Sequence, residues 1–239
     1  MKTIAISLAI SLLIACAAFA ADEPSKPEKP KPITEFPEEA TDGEIGGGWG
    51  IRRNPKRTGK FEQDGDALKI TAASEADMSY ESGYNSPSSG IEVEGDFIAE
   101  VAIDPLPTDH HNWVGGGLLL FSGNKFFVRL NHIHNRSDKE ETFNEVLNWS
   151  FTSTGGKLLG INLSSVKFDT SKPRIFRMER RGNRLLGKLS NDGVSWKELY
   201  PINIHGWPKK LNVGPFAINL SSKPKTVRFT NFKVTKTDK

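Results

Sequence analysis

Closely spaced carboxylates are the residues of this 239-residue chain that could most directly take part in catalysis. Glu92, Glu94 and Asp96 alternate along the chain, and alternate side chains of a strand project from one face. Hydrolysis of a glycosidic bond ordinarily needs two carboxyl groups, about 5 Å apart for retention or about 6.5–9.5 Å apart for inversion. Gly95-Asp96, however, is typical of a turn, so the three carboxylates are not expected to share one strand. We therefore predict no catalytic residue.

Nucleophilic and metal chemistry find little support in the chain. Its single cysteine, Cys16, lies in the apolar N-terminal segment, and neither a Gly-x-Ser-x-Gly motif nor a glycine-rich phosphate loop is present. His132 and His134 alternate at a strand end and could hold a metal if a carboxylate such as Glu141 joined them, but no spacing signature supports this. We predict no metal ligand and no cofactor, and we assign both histidines to hydrogen bonding at a polar strand end.

Binding is the chemistry that remains. A shallow sugar site sets an aromatic face against the C–H face of the ring and uses rigidly held polar groups for the hydroxyls. The candidate ligand-binding residues lie on the non-core side of the central strands or near strand ends, and they are Trp113, Arg129, Asn131, His132, His134, Trp149, Arg177 and Glu179. Core packing is an alternative for Trp149, which alternates with Leu147 and Phe151. A surface ion pair, worth about 0–1 kcal/mol, is the alternative for Arg177 and Glu179.

The strands that must position these residues follow a period of two. Segments 97–103, 126–130 and 174–180 each place alternate apolar residues on one face, as a strand with one face in a core requires. Turns rich in Gly, Asn and Asp separate such segments, at 64–66, 94–96, 122–124, 181–183 and 191–193. No helical pattern intervenes, so an all-β fold is predicted, an antiparallel β-sandwich or barrel in one domain.

The sequence of the last strand allows a more specific structural prediction. Val227 and Phe229 lie on one parity, whereas Phe232 and Val234 lie on the other. Keeping all four side chains inward needs a one-residue bulge near Thr230-Asn231.

Two further motifs have structural interpretations. Ser190–Trp196 approaches the Asp-box of sialidases, but one residue is missing between Asp192 and Gly193. We predict instead a hairpin in which Asp192 bonds its own backbone and Trp196 packs into the core. The run Gly115–Gly117 allows close backbone approach by a ligand or by a facing strand.

Five segments together resemble a known fold family. In chain order they are Gly90–Phe97, Gly116–Leu120, Arg177–Asn183, Ser190–Trp196 and Phe229–Val234. Their order is similar to that of the concanavalin A-like lectin/glucanase sandwiches, and in particular to the bacterial family of unknown function DUF1349. The resemblance implies a jelly roll of two curved antiparallel sheets with a concave face. The E-x-D-x-E and E-x-D-x-x-E runs of the glucanases of this superfold are absent from the chain.

The N-terminus is typical of an export signal. A basic Lys2, an apolar run from Ile4 to Cys16 and a small-residue site before Ala21 predict a signal peptide over residues 1–20. The alternative is a lipobox ending at Cys16, whose lipidation would anchor the chain at the cell envelope. Residues 21–41, with five prolines among Lys and Glu up to residue 40, are predicted to be a disordered linker, and 42–236 the domain.

Net charge excludes one class of partner. The formal charge of +3 falls to +2 once Lys2 is removed with the signal, and the basic residues are scattered among acidic ones, which gives no footprint for nucleic acid. We predict an exported protein, secreted or periplasmic, that acts as a non-catalytic carbohydrate-binding or interaction module with a glycan as partner. Membrane association is expected only through lipidation of Cys16.

Two alternatives stay open. One is a glycan-active enzyme, a hydrolase or lyase, with its acid and base among Glu92, Glu94, Glu141, Glu145 and Glu179. The other is a structural envelope protein that binds only another protein. An aromatic beside Arg129 or Arg177 on the concave face favours sugar binding, whereas a concave face filled by apolar side chains or a loop favours a protein partner.

Overall fold

The computed structural model describes residues 41–55, 59–78, 85–109, 112–122, 126–136, 143–152, 158–162 and 172–237, and for 41–44, 136, 143–152 and 158–162 it describes the backbone alone. The predicted signal segment 1–20, and the predicted linker except Thr41, lie outside these residues. Within the described ranges there is no α-helix, and no helical segment has the length and apolar character that crossing a membrane would need.

The described residues form sixteen strands. They are β1 (Thr41–Ile45), β2 (Gly50–Arg53), β3 (Gly59–Asp64), β4 (Ala67–Ala72), β5 (Ser88–Glu94), β6 (Phe97–Ile103), β7 (Asn112–Ser122), β8 (Phe126–Arg136), β9 (Phe143–Thr152), β10 (Leu158–Asn162), β11 (Arg174–Arg181), β12 (Arg184–Ser190), β13 (Lys197–Glu198), β14 (Ile202–Asn203), β15 (Lys210–Asn219) and β16 (Lys225–Lys236). The predicted all-β fold class is confirmed.

The strands form two antiparallel sheets of eight strands each. Sheet 1 has the order β1-β2-β5-β15-β7-β8-β9-β10, and sheet 2 has the order β13-β12-β11-β6-β16-β4-β3 with β14 also paired to β12. Sequential hairpins such as β7–β8 and β11–β12 lie in different sheets, while β15 and β16 return to the centre of sheets 1 and 2 respectively. The architecture is therefore an antiparallel β-sandwich, as predicted.

The main core lies between the two sheets. Sheet 2 contributes alternate residues of β6 and β11, including Val101, Phe176 and Met178, which are fully buried. Sheet 1 contributes Val128 and Leu130 of β8 to the same cluster. The period-two patterns read from the sequence thus identify the inward side of these strands, and burial of each large apolar side chain contributes about 1.5–3 kcal/mol.

The predicted bulge in β16 is present. The pairing of β16 with β6 shifts register between Thr230 and Lys233, and Asn231 has a φ of 54°. The bulge keeps Phe232 partly buried against the core, where its ring stacks on Trp49 at a centroid distance of 5.6 Å. A one-residue insertion therefore reconciles the two parities of the strand.

The hairpin that follows β12 confirms one prediction and corrects another. Asp192 caps the turn, because its Oδ1 accepts hydrogen bonds from the backbone N–H groups of Ser195 at 2.7 Å and Val194 at 2.8 Å. The hydroxyl of Ser190 donates to the same carboxylate at 2.9 Å. Trp196, however, is only partly buried and does not belong to the core cluster, so the prediction that it packs into the core is wrong.

Asp192→Asn is expected to lower the melting temperature at pH 7. The backbone N–H groups of Ser195 and Val194, and then the Ser190 hydroxyl, hold the pKa of the Asp192 carboxyl well below its usual range. Because the folded pKa is the lower one, this stabilisation is present above about pH 4 and is lost as the pH falls. Thermal melts of both proteins from pH 7 to pH 2 should show the difference shrinking below about pH 4. A difference independent of pH would contradict the role of the ionised carboxylate.

Sheet 1 is also covered on its outer face. A second apolar cluster, here called the outer apolar layer, lies on the side of sheet 1 that faces away from sheet 2. It contains Met78, Leu119, Phe121, Phe127, Ile133, Phe216 and Ile218, all buried, with Trp113 partly buried against it. Met78 belongs to the segment Ala73–Met78, called the Met78 segment, which pairs with the end of β15 through Ala76 and Asn219. Sheet 1 is therefore apolar on both faces.

Asn219 connects the Met78 segment, β4 and the loop after β15. Its backbone N–H donates to Ala76 O at 2.7 Å, and its buried side-chain amide donates to Ala72 O at 2.9 Å and to Lys223 O at 2.8 Å. Its amide oxygen accepts from the N–H of Ser221 at 2.9 Å and from its hydroxyl at 2.6 Å. One side chain thus pairs with four polar groups, in three buried hydrogen bonds and one that is partly buried.

Asn219→Ala is expected to lower the free energy of unfolding by about 2–4 kcal/mol, since it leaves several buried groups without partners. Urea denaturation would measure the loss. The matched control is Asn203→Ala, which removes one exposed hydrogen bond to His205 N at 2.9 Å and is expected to cost under about 1 kcal/mol. Equal losses in the two variants would contradict the buried network.

Candidate functional site

The predicted binding residues do not form one surface. Arg129 and Asn131 of β8 lie on the outer face of sheet 1, because they alternate with Val128 and Leu130 in the main core. Arg177 and Glu179 of β11 alternate with core residues in the same way, but β11 belongs to sheet 2. The two pairs therefore lie on opposite outer faces of the sandwich, and the expectation of a single groove is corrected.

The two predicted histidines lie on neither outer face of the sandwich. His132 and His134 continue the parity of Val128 and Leu130, so their side chains lie on the inner side of sheet 1. Both are buried, and their rings meet edge to face with centroids 4.9 Å apart. They are thus separated by the sheet from Arg129 and Asn131. Among the described residues, no group of three or more His, Cys, Asp or Glu side chains is placed to hold a metal ion.

The two predicted tryptophans differ in what the structure describes. Trp113 is partly buried against the outer apolar layer, on the same face as Asn131. Trp149 pairs with Leu130 in the β8–β9 register, and its side chain lies outside the described part of the chain. Trp113 is therefore not an open aromatic platform.

Arg129 is buried rather than exposed in a groove. Its Nη1 donates to Met78 O at 2.7 Å and lies 3.7 Å from Oδ1 of Asp77. The outer face of sheet 1 is filled here by apolar side chains and the Met78 segment.

The glycine run of β7 meets protein rather than an open space. A Cβ on Gly115 or Gly117 would collide with the backbone of β8, and a Cβ on Gly116 would reach Phe229 and Val227 of the opposite sheet. The run therefore serves close strand approach and core packing, which was one of its two interpretations.

The outer face of sheet 2 carries a connected set of charges around Arg177. Arg177 contacts Glu100, its direct partner on β6, through Nη2, and its Nη1 lies 3.5 Å from Oε1 of Glu179. Both carboxylates are nearly buried, with side-chain exposures of 10% and 8%. The Arg177–Glu179 ion pair weighed from the sequence is therefore present, and it is part of a larger network.

Each of these two carboxylates also lies close to a second cation. Lys188 lies 3.1 Å from Oε1 of Glu179, and Lys233 lies 2.9 Å from Oε2 of Glu100. Lys188 also reaches Glu198 at 3.5 Å. The three cations and three carboxylates balance, which leaves the surface locally neutral and its side chains fixed in position.

An aromatic side chain lies against this network. The guanidinium carbon of Arg177 lies 3.8 Å from the centroid of the Trp196 ring, and the indole N–H donates to Gly193 O at 3.1 Å. Trp196 is partly exposed. We call the set Trp196, Arg177, Glu100, Glu179, Lys188 and Glu198 the Trp196 patch. It joins an aromatic face to rigid polar groups.

Sequence reasoning missed Trp196 as a surface residue, although a signal was present. Glu198 pairs directly with Lys188 in the register of β12 and β13, and Lys188 lies on the outer face of sheet 2. Trp196 stands two positions before Glu198 and therefore shares its side. The alternation of an aromatic with a glutamate at a hairpin end could have placed it there.

The carboxylates considered for catalysis are scattered. Glu92 is exposed and pairs with Lys210 at 3.0 Å, and Glu94 is exposed on the same strand. Asp96 lies beyond β5, where it accepts a hydrogen bond from Gly182 N at 2.7 Å. Glu141 lies outside the described residues, as does the side chain of Glu145. Some described carboxylates share a cation: Glu100 and Glu179 share Arg177, Glu179 and Glu198 share Lys188, and Glu62 and Asp64 share Lys69.

Comparison with solved structures supports the fold. A functionally unknown protein from Saccharomyces cerevisiae matches with a TM-score of 0.61 at 14% identity, over 78% of this chain and 100% of its own. The GH43 protein BlXynB from Bacillus licheniformis matches with a TM-score of 0.54 at 14% identity, over 77% of this chain but only 36% of its own. A xylan beta-1,4-xylosidase from Bacillus halodurans matches with a TM-score of 0.50 at 10% identity, over 73% and 38% respectively.

These likenesses show the fold alone. No protein-family model matches the chain, and no curated protein matches it. The resemblance to DUF1349 is therefore not confirmed, whereas the neighbours agree with an antiparallel β-sandwich.

Proposed function

We propose that this protein is a non-catalytic carbohydrate-binding module that holds a glycan at the Trp196 patch. The observation that carries the proposal is the position of Trp196 against Arg177, at 3.8 Å, on an outer sheet face with partly exposed polar groups. The exposed part of the indole can contact the C–H face of a sugar ring. Lys188, Glu179 and Glu198 belong to the same charge network as Arg177 and offer donors and acceptors for hydroxyl groups.

The charge arrangement favours binding over catalysis. Glu100 and Glu179 both contact Arg177. Glycoside hydrolysis needs one carboxyl group that delivers a proton. Here each carboxylate is held by two cations, which supports a role in fixing Arg177 rather than in proton transfer. The glycan-active enzyme remains the second candidate.

A protein partner is the third candidate, and specific observations favour it too. The outer face of sheet 1 is filled by the outer apolar layer. Two large side chains close to Trp196 in the chain are strongly exposed, Val194 at 82% and Tyr200 at 72%. Exposed apolar groups beside a rigid charged network suit a protein interface as well as a glycan.

A glycan array combined with an assay for reducing-end release separates the three candidates. The chain from residue 41 onward is applied to plant, algal and bacterial polysaccharides. Retention without release is the expected result. Release of new reducing ends would move the assignment to the enzyme, and neither retention nor release would move it to a protein partner.

Export is part of the same proposal. The segment 1–20 supports cleavage after Ala20, or lipidation at Cys16, in a secreted or periplasmic protein. The intact mass of the mature protein decides between them, because a lipidated protein would begin at Cys16 and carry the added acyl mass.

A further inference from the structure

Two arginines lie at the tip of the β11–β12 hairpin in sheet 2. Arg181 and Arg184 pair directly there, on either side of the two-residue turn Gly182-Asn183. They follow the parity of Arg177 on β11 and of Lys188 on β12, so both project from the outer face of sheet 2. The hairpin tip therefore belongs to the same face as the Trp196 patch, and both of its arginines are exposed.

The geometry of the hairpin tip is fixed by its turn. Gly182 has a φ of 58°, the positive value that the first position of such a tight turn favours, and its N–H donates to Oδ1 of Asp96 at 2.7 Å. Directly paired residues of antiparallel strands have Cβ atoms about 4.5–5.5 Å apart, so the side chains of Arg181 and Arg184 begin close together. The turn therefore holds two arginine side chains within reach of one ligand.

This pairing of two arginines is unfavourable without an anion. Like charges placed directly opposite each other destabilise a strand pair, and a guanidinium is not deprotonated in a protein. Among the residues that the structure describes, no carboxylate lies within ion-pair distance of Arg181 or Arg184. Further along the same strands the cations are compensated, since Arg177 and Lys188 both contact Glu179. An anionic group between the two arginines would remove their repulsion.

The chemistry of the two arginines restricts the kind of anion. A guanidinium presents its N–H donors in a planar fork that matches the oxygens of a carboxylate or of a tetrahedral oxyanion. An acidic glycan carries such groups as uronic acid carboxylates or as sulfate esters. Nucleic acids and anionic membranes are bound by larger clusters of basic residues, whereas the basic residues of this chain are scattered among acidic ones. The observations therefore favour an acidic glycan.

We propose that Arg181 and Arg184 bind an acidic group of the glycan, a uronic acid carboxylate or a sulfate ester, and that the protein is selective for acidic polysaccharides. The proposal rests on the proposed function, because it takes the same glycan to contact the Trp196 patch. Arg181 lies four residues from Arg177 on β11, which is about 14 Å along the strand. An oligosaccharide spans that distance and a single sugar ring does not, so the acidic group belongs to a different sugar unit from the one at Trp196.

Binding to matched charged and uncharged polymers tests the proposal. The protein is titrated with polygalacturonate and with its full methyl ester, and with κ-carrageenan and its desulfated form. At about 20 mM NaCl, the wild-type protein is expected to bind at least one charged polymer about tenfold more tightly than the uncharged form of that polymer. The preference should shrink at about 500 mM NaCl, because salt screens exposed charges. The polymer that shows the preference identifies the anion as carboxylate or sulfate.

Three variants complete the design. The double variant Arg181→Ala/Arg184→Ala is expected to lose the preference and to keep its binding to the uncharged polymer. It should melt at or above the wild-type temperature, because a like-charge pair has been removed. The matched control Lys60→Ala/Lys223→Ala removes two exposed cations elsewhere and should keep the preference. Trp196→Ala should weaken binding of the charged and uncharged forms alike, so failure of the Trp196 patch and failure of the hairpin tip are distinguishable.

Four results would overturn the selectivity for acidic polysaccharides. The first is equal binding of the charged and uncharged forms, which leaves the proposed function intact. The second is a preference that persists in the double arginine variant, or that is lost equally in the double lysine variant. The third is binding to phosphatidylglycerol vesicles that depends on the two arginines, without binding to either charged polymer. The fourth is binding to none of the four polymers, in which case the glycan array alone decides on the proposed function.

Discussion

Replacing Arg129 by alanine is expected to lower the free energy of unfolding by about 3–5 kcal/mol. Arg129 and Asp77 are nearly buried, with side-chain exposures of 10% and 12%. The substitution removes the cation beside a buried carboxylate and the donor to Met78 O. It also releases one attachment of the Met78 segment to sheet 1. An arginine in an open groove could instead be truncated at little cost to stability.

Urea denaturation of Arg129→Ala and Arg184→Ala provides the comparison. Arg184 is exposed at the start of β12, so its truncation should change the free energy of unfolding by less than about 0.5 kcal/mol. Asp77→Asn in the Arg129→Ala background should recover part of the loss, because the carboxylate left alone is then neutral. A loss below about 1 kcal/mol for Arg129→Ala would show that the buried pair contributes little and that its side chain is available for binding.

The inward faces of the strands could be predicted because alternation is a local property. The pattern of Val128 and Leu130 in β8, and of Phe176 and Met178 in β11, identifies the core side without knowledge of the partner strands. The bulge of β16 followed from a change of parity within a single segment. Each of these features is encoded within about ten residues of chain.

The assignment of strands to sheets could not be predicted in the same way. Strands β8 and β11 have the same alternation, with arginine on the polar side of each, yet they lie in opposite sheets. That choice depends on pairing with β7 and β6, which is set by contacts distant in sequence. The supposed groove therefore joined residues that the topology separates.

The outer apolar layer did leave a signal in the sequence. Strand β7 contains Leu118, Leu119, Leu120 and Phe121 in succession, which is typical of a strand buried on both faces. What covers the outer face could not be read, since the Met78 segment carries little apolar character besides Met78 itself. The burial of Arg129 followed from that cover.

Replacing Trp196 by alanine is expected to weaken glycan retention at least about tenfold while changing the free energy of unfolding by less than about 1 kcal/mol. The indole supplies the apolar face for the sugar, and loss of such a central aromatic commonly costs about 2 kcal/mol of binding, more than the 1.4 kcal/mol that corresponds to tenfold. Trp196 lies outside the main core, which limits the effect on stability. The substitution also removes the ring against which Arg177 is held.

Two further variants show whether the loss of glycan retention arises at the Trp196 patch. Trp196→Phe keeps an aromatic face but not the N–H bond to Gly193 O, so it should retain part of the binding. Tyr200→Ala removes a more exposed aromatic close by in the chain and should leave retention unchanged. Unchanged retention in Trp196→Ala, or equal losses in Trp196→Ala and Tyr200→Ala, would mean that the aromatic held by Arg177 is not the sugar platform. The rigid charge network would then serve the stability of sheet 2 alone.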